Sequence, residues 1–387
     1  MRLFLLFMIA FPLHSAVAQS PQLYDSKNFK LQTDLPKEDA EELLEKLETM
    51  LVLVSKYWAV PNRQKIECVV VADLRNWSGT PIDPRALPSL KANAGITFSD
   101  FRRRGNRTSI RAVAFGVART SIVQHEAVHA YAYYAFGHCG PPWYAEGMAE
   151  MGSYWIEGDT TVTAPRHVTE YLRRSKPRKV KEITTGETGK VGSWQNYCWR
   201  WALCHLLATN KNYSKKFRPL GLAMLTRKKG SFSSTYGKQL RELEFEYGFF
   251  LKHVQPGFDA ERCSWDWDAR FRKLKPTKSV RSVIRADRGW QASRVRLEAG
   301  QKYKLAAEGS WQLTKDGEPV SASGTNNAGQ LVGVVMTKMK LGEPFVIGEE
   351  HEYTPRVAGD LYLRCRDGWN SLGDNSGEIS VSAEKVE

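Results

Sequence analysis

Two histidines and a glutamate stand at the spacing His125-Glu126-Ala127-Val128-His129, an H-E-x-x-H motif. On a helix, positions i and i+4 share a face, so both imidazoles can reach one divalent ion. Glu126 sits beside them, placed to take a proton from a water polarised there. A catalytic zinc also needs a third protein ligand and an open position. Sixteen residues separate His129 from Glu146, within Trp143-Tyr144-Ala145-Glu146-Gly147-Met148-Ala149-Glu150. A helix, a Gly-Pro-Pro turn and a returning helix would carry Glu146 back to the ion. Glu150 falls one turn later on the same face, where a carboxylate would accept the free ring N–H of a ligand histidine. A second group of oxygen donors lies near the end of the chain. Asp367, Asp374 and Asn375 fall within nine residues, a mixture of carboxylate and amide oxygens.

These groups need elements to position them. Helical periodicity runs over residues 121–136 and stops at Gly137; after Pro141-Pro142 a second helix is expected over 143–154. Upstream, residues 28–32 and 66–71 read as strands. Residues 36–57 read as a helix with Leu43, Leu44, Leu47, Met50, Leu51 and Val54 on its apolar stripe. Residues 95–99 suggest another strand, and the alternation over 108–115 predicts an edge strand. Downstream, 197–209 and 240–250 read as helices. Residues 256–280, with Pro256, Gly257 and Pro276, are expected to be a linker. Beyond them short alternating runs recur, as at 295–297, 303–307, 330–336, 361–364 and 378–382, the texture of a small β-sandwich.

In its two motifs the N-terminal part resembles the gluzincin zinc metallopeptidases, and most closely the bacterial peptidase-MA-like families, whose second motif has the form W-x-x-E-G-x-A-E. The match is close over residues 125–129 and 143–150, and follows element order over about 25–255. It implies an α+β zincin-like fold, zinc held by His125, His129 and Glu146, Glu126 as general base and acid, and substrate backbone added to the edge strand 108–115. The exopeptidase loop G-x-M-E-N of the aminopeptidases is absent. Such enzymes need a hydrogen-bond donor for the transition state, and Tyr197, at the start of the next helix, is the candidate; its alternative is to pack the core.

The C-terminal part contains Asp287-Arg288-Gly289-Trp290-Gln291, Gly309-Ser310-Trp311, Phe345-Val346-Ile347-Gly348, Gly359-Asp360-Leu361-Tyr362-Leu363-Arg364 and Asp374-Asn375-Ser376-Gly377. It resembles the calcium-dependent galactophilic lectin family, a small β-sandwich. The resemblance implies Ca2+ at Asp367, Asp374 and Asn375, with the carbonyls of Thr314 and Ser371 completing the protein ligands. The family's His-x-x-Gln sugar contact has no equivalent here, so galactose specificity is not carried over. Read without the resemblance, Asp-Asn-Ser-Gly is a hairpin turn.

Composition frames this reading. With 387 residues, 42% apolar and 25% charged, the chain is long enough for two domains. Its composition excludes collagen-like, coiled-coil and wholly disordered classes. Residues 1–18 have the form of a signal peptide, with Arg2, an apolar stretch and Ala16-Val17-Ala18. Export to the medium, periplasm or cell envelope after cleavage near Ala18 is therefore expected, with no transmembrane segment. Six cysteines without a C-x-x-C argue against a cysteine-built zinc site and leave 15 pairings open. The net charge of +14 lies between residues 19 and 280, while 281–387 carry −1. Basic runs at 102–104, 173–181 and 227–229 read first as solvated loops; export disfavours nucleic acid and leaves acidic polysaccharide as the sharper partner. The expectation is a signal peptide (1–18), a zincin-like peptidase domain (19–255), a linker (256–280) and a lectin-like all-β sandwich (281–387). The chain would act on peptide or protein and bind glycan. The competing class is an adhesion or carbohydrate-binding protein with an inactive metal site.

Overall fold

A computed structural model describes residues 20–104, 107–186, 193–276 and 278–386; the signal segment 1–18 lies outside the described residues. The N-terminal part is mixed α/β. Strands β1 (Gln22–Asp25), β2 (Phe29–Thr33), β3 (Ile66–Val71), β4 (Gly95–Arg104) and β5 (Arg107–Val117) form one sheet in the order β1-β2-β3-β5-β4. β2, β3 and β5 run parallel, and β1 and β4 close the two edges antiparallel. Helix α1 (Lys37–Trp58) joins β2 to β3 and buries Leu43, Leu44, Leu47, Met50, Leu51 and Val54, the stripe read from the sequence.

One expectation is corrected here. The strand over 108–115 is not an edge: β5 pairs with β3 on one side and β4 on the other. Its alternation separates two faces that are both covered, with Val113 and Phe115 in a cluster with Trp77 and Leu90, and Ala112 and Ala114 buried opposite. The edge on this side is β4, whose far end carries Arg102 and Arg103, charges that discourage further strand pairing there.

Helices follow: α2 (Leu87–Lys91) before β4, then α3 (Thr120–Phe136), α4 (Pro142–Tyr154), α5 (Arg166–Arg174), α6 (Val180–Thr185), α7 (Trp194–Thr209), α8 (Ser214–Leu225), α9 (Phe232–Tyr236) and α10 (Leu240–His253). By contacts the chain groups into two units. One holds residues up to 49 with Asn62–Tyr134, the other Met50–Pro61 with Ala135–Glu387. Cys68, Cys198, Cys204, Cys263 and Cys365 are buried thiols, outside any disulfide.

The C-terminal region is a β-sandwich. Strands β6 (Ser279–Arg285), β7 (Gln291–Leu297), β8 (Tyr303–Gln312), β9 (Leu331–Thr337), β10 (Lys340–Leu341), β11 (Phe345–Val346), β12 (Glu350–Tyr353), β13 (Gly359–Cys365) and β14 (Ser376–Lys385) make two sheets. One has the order β10-β9-β13-β7 with β11 also on β9, the other β12-β8-β14-β6. Alternate residues of both sheets meet in the core, among them Val295, Leu297, Leu331, Val335, Leu361 and Leu363 from the first and Ile284, Leu305, Ile379 and Val381 from the second. β9 is apolar throughout because its other face is also covered. Val332, Val334 and Met336 pack with Tyr362, Trp265 and Trp290, backed by Phe245 and Phe249 of α10. The α+β layout followed by a β-sandwich is the fold class that the sequence predicts.

Candidate metal centre

Helix α3 is buried along most of its length, as its lack of a polar face requires. That burial places His125 and Glu126 inside the protein, Glu126 only 7% exposed, while His129 is half-buried. His125 Nε2 and His129 Nε2 lie 3.2 Å apart. Two nitrogens each about 2.0–2.1 Å from one tetrahedral ion are separated by roughly 3.3–3.4 Å, so the pair is spaced to share a metal. Glu146, in the second turn of α4, completes the set: one ligand atom each from His125, His129 and Glu146 lie within 4.8 Å of one another. Two imidazoles and a carboxylate are the donor set of a three-ligand catalytic zinc site. Glu126 stays outside this set.

The Glu126 carboxylate is held by the edge strand. Thr97 Oγ1 of β4 lies 2.7 Å from Glu126 Oε2 and 2.9 Å from the Glu126 carbonyl oxygen. Gly95 opens the strand with no side chain because there is no room: an added Cβ would lie 2.6 Å from Glu126 Cγ and 2.9 Å from its Oε1. Sequence reasoning missed both residues. Thr97 and Glu126 are 29 positions apart, and only the β4–β5 pairing brings that strand to the start of α3.

The second motif has a packing logic. Trp143 and Tyr144 are buried anchors, and Trp58 Nε1 donates to Tyr144 Oη at 2.8 Å. Gly147 lets α4 press against α7: a Cβ there would sit 2.4 Å from Cys204 Sγ and 2.7 Å from the Arg200 carbonyl oxygen. Gly147→Ala must therefore push the two helices apart and move the neighbouring Glu146. The expected cost is about 2–3 kcal/mol in urea unfolding, with weaker zinc binding in a chelator competition titration. Unaltered zinc affinity would show that this helix contact does not set the position of Glu146.

The remaining expected residues are placed as follows. Tyr197 is half-buried in the first turn of α7, with the Arg200 guanidinium 5.9 Å from its ring centre. Glu150 lies on α4 near the Tyr154 hydroxyl and Cys198; burial first, and then its charge, raise both groups, the thiol to about 12. His205 is a packing residue, stacked on Phe250, and burial pushes its imidazole down to about 4. In the sandwich, Asn375 Nδ2 donates to Asp367 Oδ2 at 2.9 Å, and Asn375 Oδ1 is buried with no partner among the described residues. Asp374 is exposed, and Ser371 is half-buried. Ser376 of β14 pairs with Gln312 of β8, so Asp374 and Thr314 each lie two residues beyond the same pairing.

No family model matches this sequence, and no curated protein matches it. Among solved structures, the "EclA N-terminal domain; PllA-like lectin" is similar to 27% of this chain and 95% of that one, at 22% identity and a TM-score of 0.22. That likeness to the C-terminal β-region is loose and too low to carry an argument about activity or ligand.

Proposed function

We propose that the protein is an exported zinc peptidase of the gluzincin type whose C-terminal sandwich binds glycan with the help of Ca2+. The observation that carries this reading is the meeting of His125, His129 and Glu146 beside a carboxylate, Glu126, that is not one of the three. Zinc bound there would polarise a scissile carbonyl and make a water acidic enough to lose a proton near neutral pH. Glu126 would take that proton at its carboxylate and return it to the leaving amine, with the Thr97 hydroxyl holding Oε2 in place. Glu150 would orient a ligand histidine through its ring N–H. Tyr197 would donate its hydroxyl to the developing oxyanion. It sits one turn before Arg200, whose carbonyl marks the tight α4–α7 contact next to Glu146. The substrate backbone would pair with β4, the sheet's edge, rather than with β5.

For calcium, Asp367, Asp374 and Asn375 with the carbonyls of Thr314 and Ser371 would supply oxygens. The unpartnered buried Asn375 Oδ1 supports this, since a buried amide oxygen normally has a partner. The test of the catalytic reading is metal removal. Dialysis against a zinc chelator should abolish hydrolysis of an internally quenched peptide library, and one equivalent of Zn2+ per chain should restore it. A chain that binds no zinc, or that binds one equivalent and cleaves nothing, would instead be a binding or adhesion protein.

A further inference from the structure

A cleft of about 520 Å3, within the size range of small-molecule sites, opens between the turn after α7, the segment after α10 and strands β6 and β7. Six cationic side chains and one carboxylate, Asp266, line it. Two of the cations are already neutralised. Arg262 Nη1 and Arg285 Nη2 lie 2.6 and 2.9 Å from Asp287 Oδ2, and Arg262 Nε lies 3.2 Å from Asp259 Oδ2. Arg281 has only a 4.0 Å contact with Glu308. Lys211, Arg288 and Arg294 have no ion pair among the described residues.

Arg294 is held in an unusual way. Its φ is +62°, a region in which a long side chain is rare. It lies where the β7–β13 register shifts, between Asp360↔Arg296 and Tyr362↔Ala292, and Arg272 braces the bulge with an N–H donated to the Arg294 carbonyl at 3.0 Å. Bulges of this kind re-aim a side chain, and Arg294 lines the cleft. The one aromatic residue of the lining, Trp290, is only 6% exposed, so no open ring is available to stack a base. Ser264, Ser282 and Gln291 also line it; their hydroxyl and amide N–H groups already donate to the carbonyls of Glu261, Ser293 and Arg285, so they offer oxygen acceptors between the cations.

We infer that this cleft binds an acidic oligosaccharide, its guanidinium groups pairing with carboxylate or sulfate groups and its polar walls with sugar hydroxyls. None of the basic runs read in the sequence supplies a residue to this lining. It depends on neither the zinc nor the calcium reading. Calorimetry on the full mature chain would compare four probes: a galacturonate tetramer, a chondroitin sulfate tetrasaccharide, uncharged maltotetraose and the oligonucleotide dT4. At least one acidic sugar should bind tenfold or more tighter than maltotetraose, and its affinity should fall several-fold between 50 and 200 mM NaCl, as charge screening requires. The two acidic arms tell uronate from sulfate. Arg288→Gln with Arg294→Gln should weaken that binding at least tenfold, whereas Arg102→Gln with Arg103→Gln on β4 should not change it. Should the double variant fail to fold, Lys211→Gln, on an exposed turn, should still cost threefold. Equal binding of all three sugars, tighter binding of dT4, or wild-type affinity in a folded variant would overturn the inference.

Discussion

Replacing Glu126 with glutamine is expected to lower kcat/KM for peptide hydrolysis by on the order of 10³, about 4 kcal/mol of transition-state stabilisation, with zinc content unchanged. The three candidate ligand atoms that lie together belong to His125, His129 and Glu146, so the substitution removes none of them. Glutamine has the same shape, which matters because the side chain is pressed against β4 at Gly95. Its amide oxygen can still accept from Thr97. What it cannot do is take a proton and give it back. Zinc per chain by elemental analysis, beside a progress curve with a quenched peptide, separates the alternatives. Loss of zinc would make Glu126 a ligand. Full activity would remove it from the chemistry, and the proposed mechanism with it. A protein whose role is adhesion would show no change in glycan binding in either case.

The parts of this site that were legible in the sequence are those with a strong local signal. Helix α3 was expected from residue 121 and begins at Thr120; α4 was expected from 143 and begins at Pro142. Helical periodicity and the Gly and Pro residues between the two helices mark these ends without help from the rest of the chain. The i, i+4 geometry then forces the two imidazoles together. The edge of the sheet was misplaced for the opposite reason. Alternation over 108–115 records a strand with two distinct faces, but which strands pair with it is a long-range fact, decided here by β3 and β4. Helices α2, α5, α6, α8 and α9 have no clear sequence signal. They are short or heavily charged, and tertiary packing of a few residues, such as Val168 and Leu172 in α5, holds them. The basic run over 173–181 spans the end of α5 and the start of α6 and is not merely a solvated loop: Arg178 Nη1 donates to Asn196 Oδ1 at 2.7 Å. Thr97, Gly95 and the α7 contact behind Gly147 depend on close approaches between distant segments, which no single-sequence pattern encodes.

The same limit hid Glu246, where the largest stability effect is expected. In the sequence it is one more charge in a helix of mixed character. In the fold it is 3% exposed and surrounded by donors. Asn210 Nδ2 reaches Oε2 at 2.8 Å, while Asn212 Nδ2, the Trp265 backbone N–H and Trp267 Nε1 reach Oε1 at 2.9, 2.8 and 3.1 Å. These bonds join α10 to the α7–α8 turn and to the segment that covers the sandwich. Glu246→Ala removes the acceptor of all four; Asn212 Nδ2 keeps its bond to the Trp265 carbonyl at 2.9 Å, while the other three lose the partner they have here. At pH 5 the change should cost about 3–5 kcal/mol, read as a lower urea midpoint by tryptophan fluorescence. Burial, working against those donors, pushes the carboxyl up to about 7 from its ordinary 4.5. A raised carboxyl means that the native state favours the protonated form. The part of its stability that depends on protonation is fully present below about 4.5, falls as pH rises and is gone above about 7, a loss on the order of 3 kcal/mol. Glu246→Gln, which cannot ionise, isolates this effect. Its amide nitrogen faces a donor and carries a penalty at pH 5, but that penalty should shrink or reverse by pH 8 as the wild type comes to bury a charge. If the gap widens with pH instead, the four donors outweigh burial and residue 246 is a stably ionised anchor.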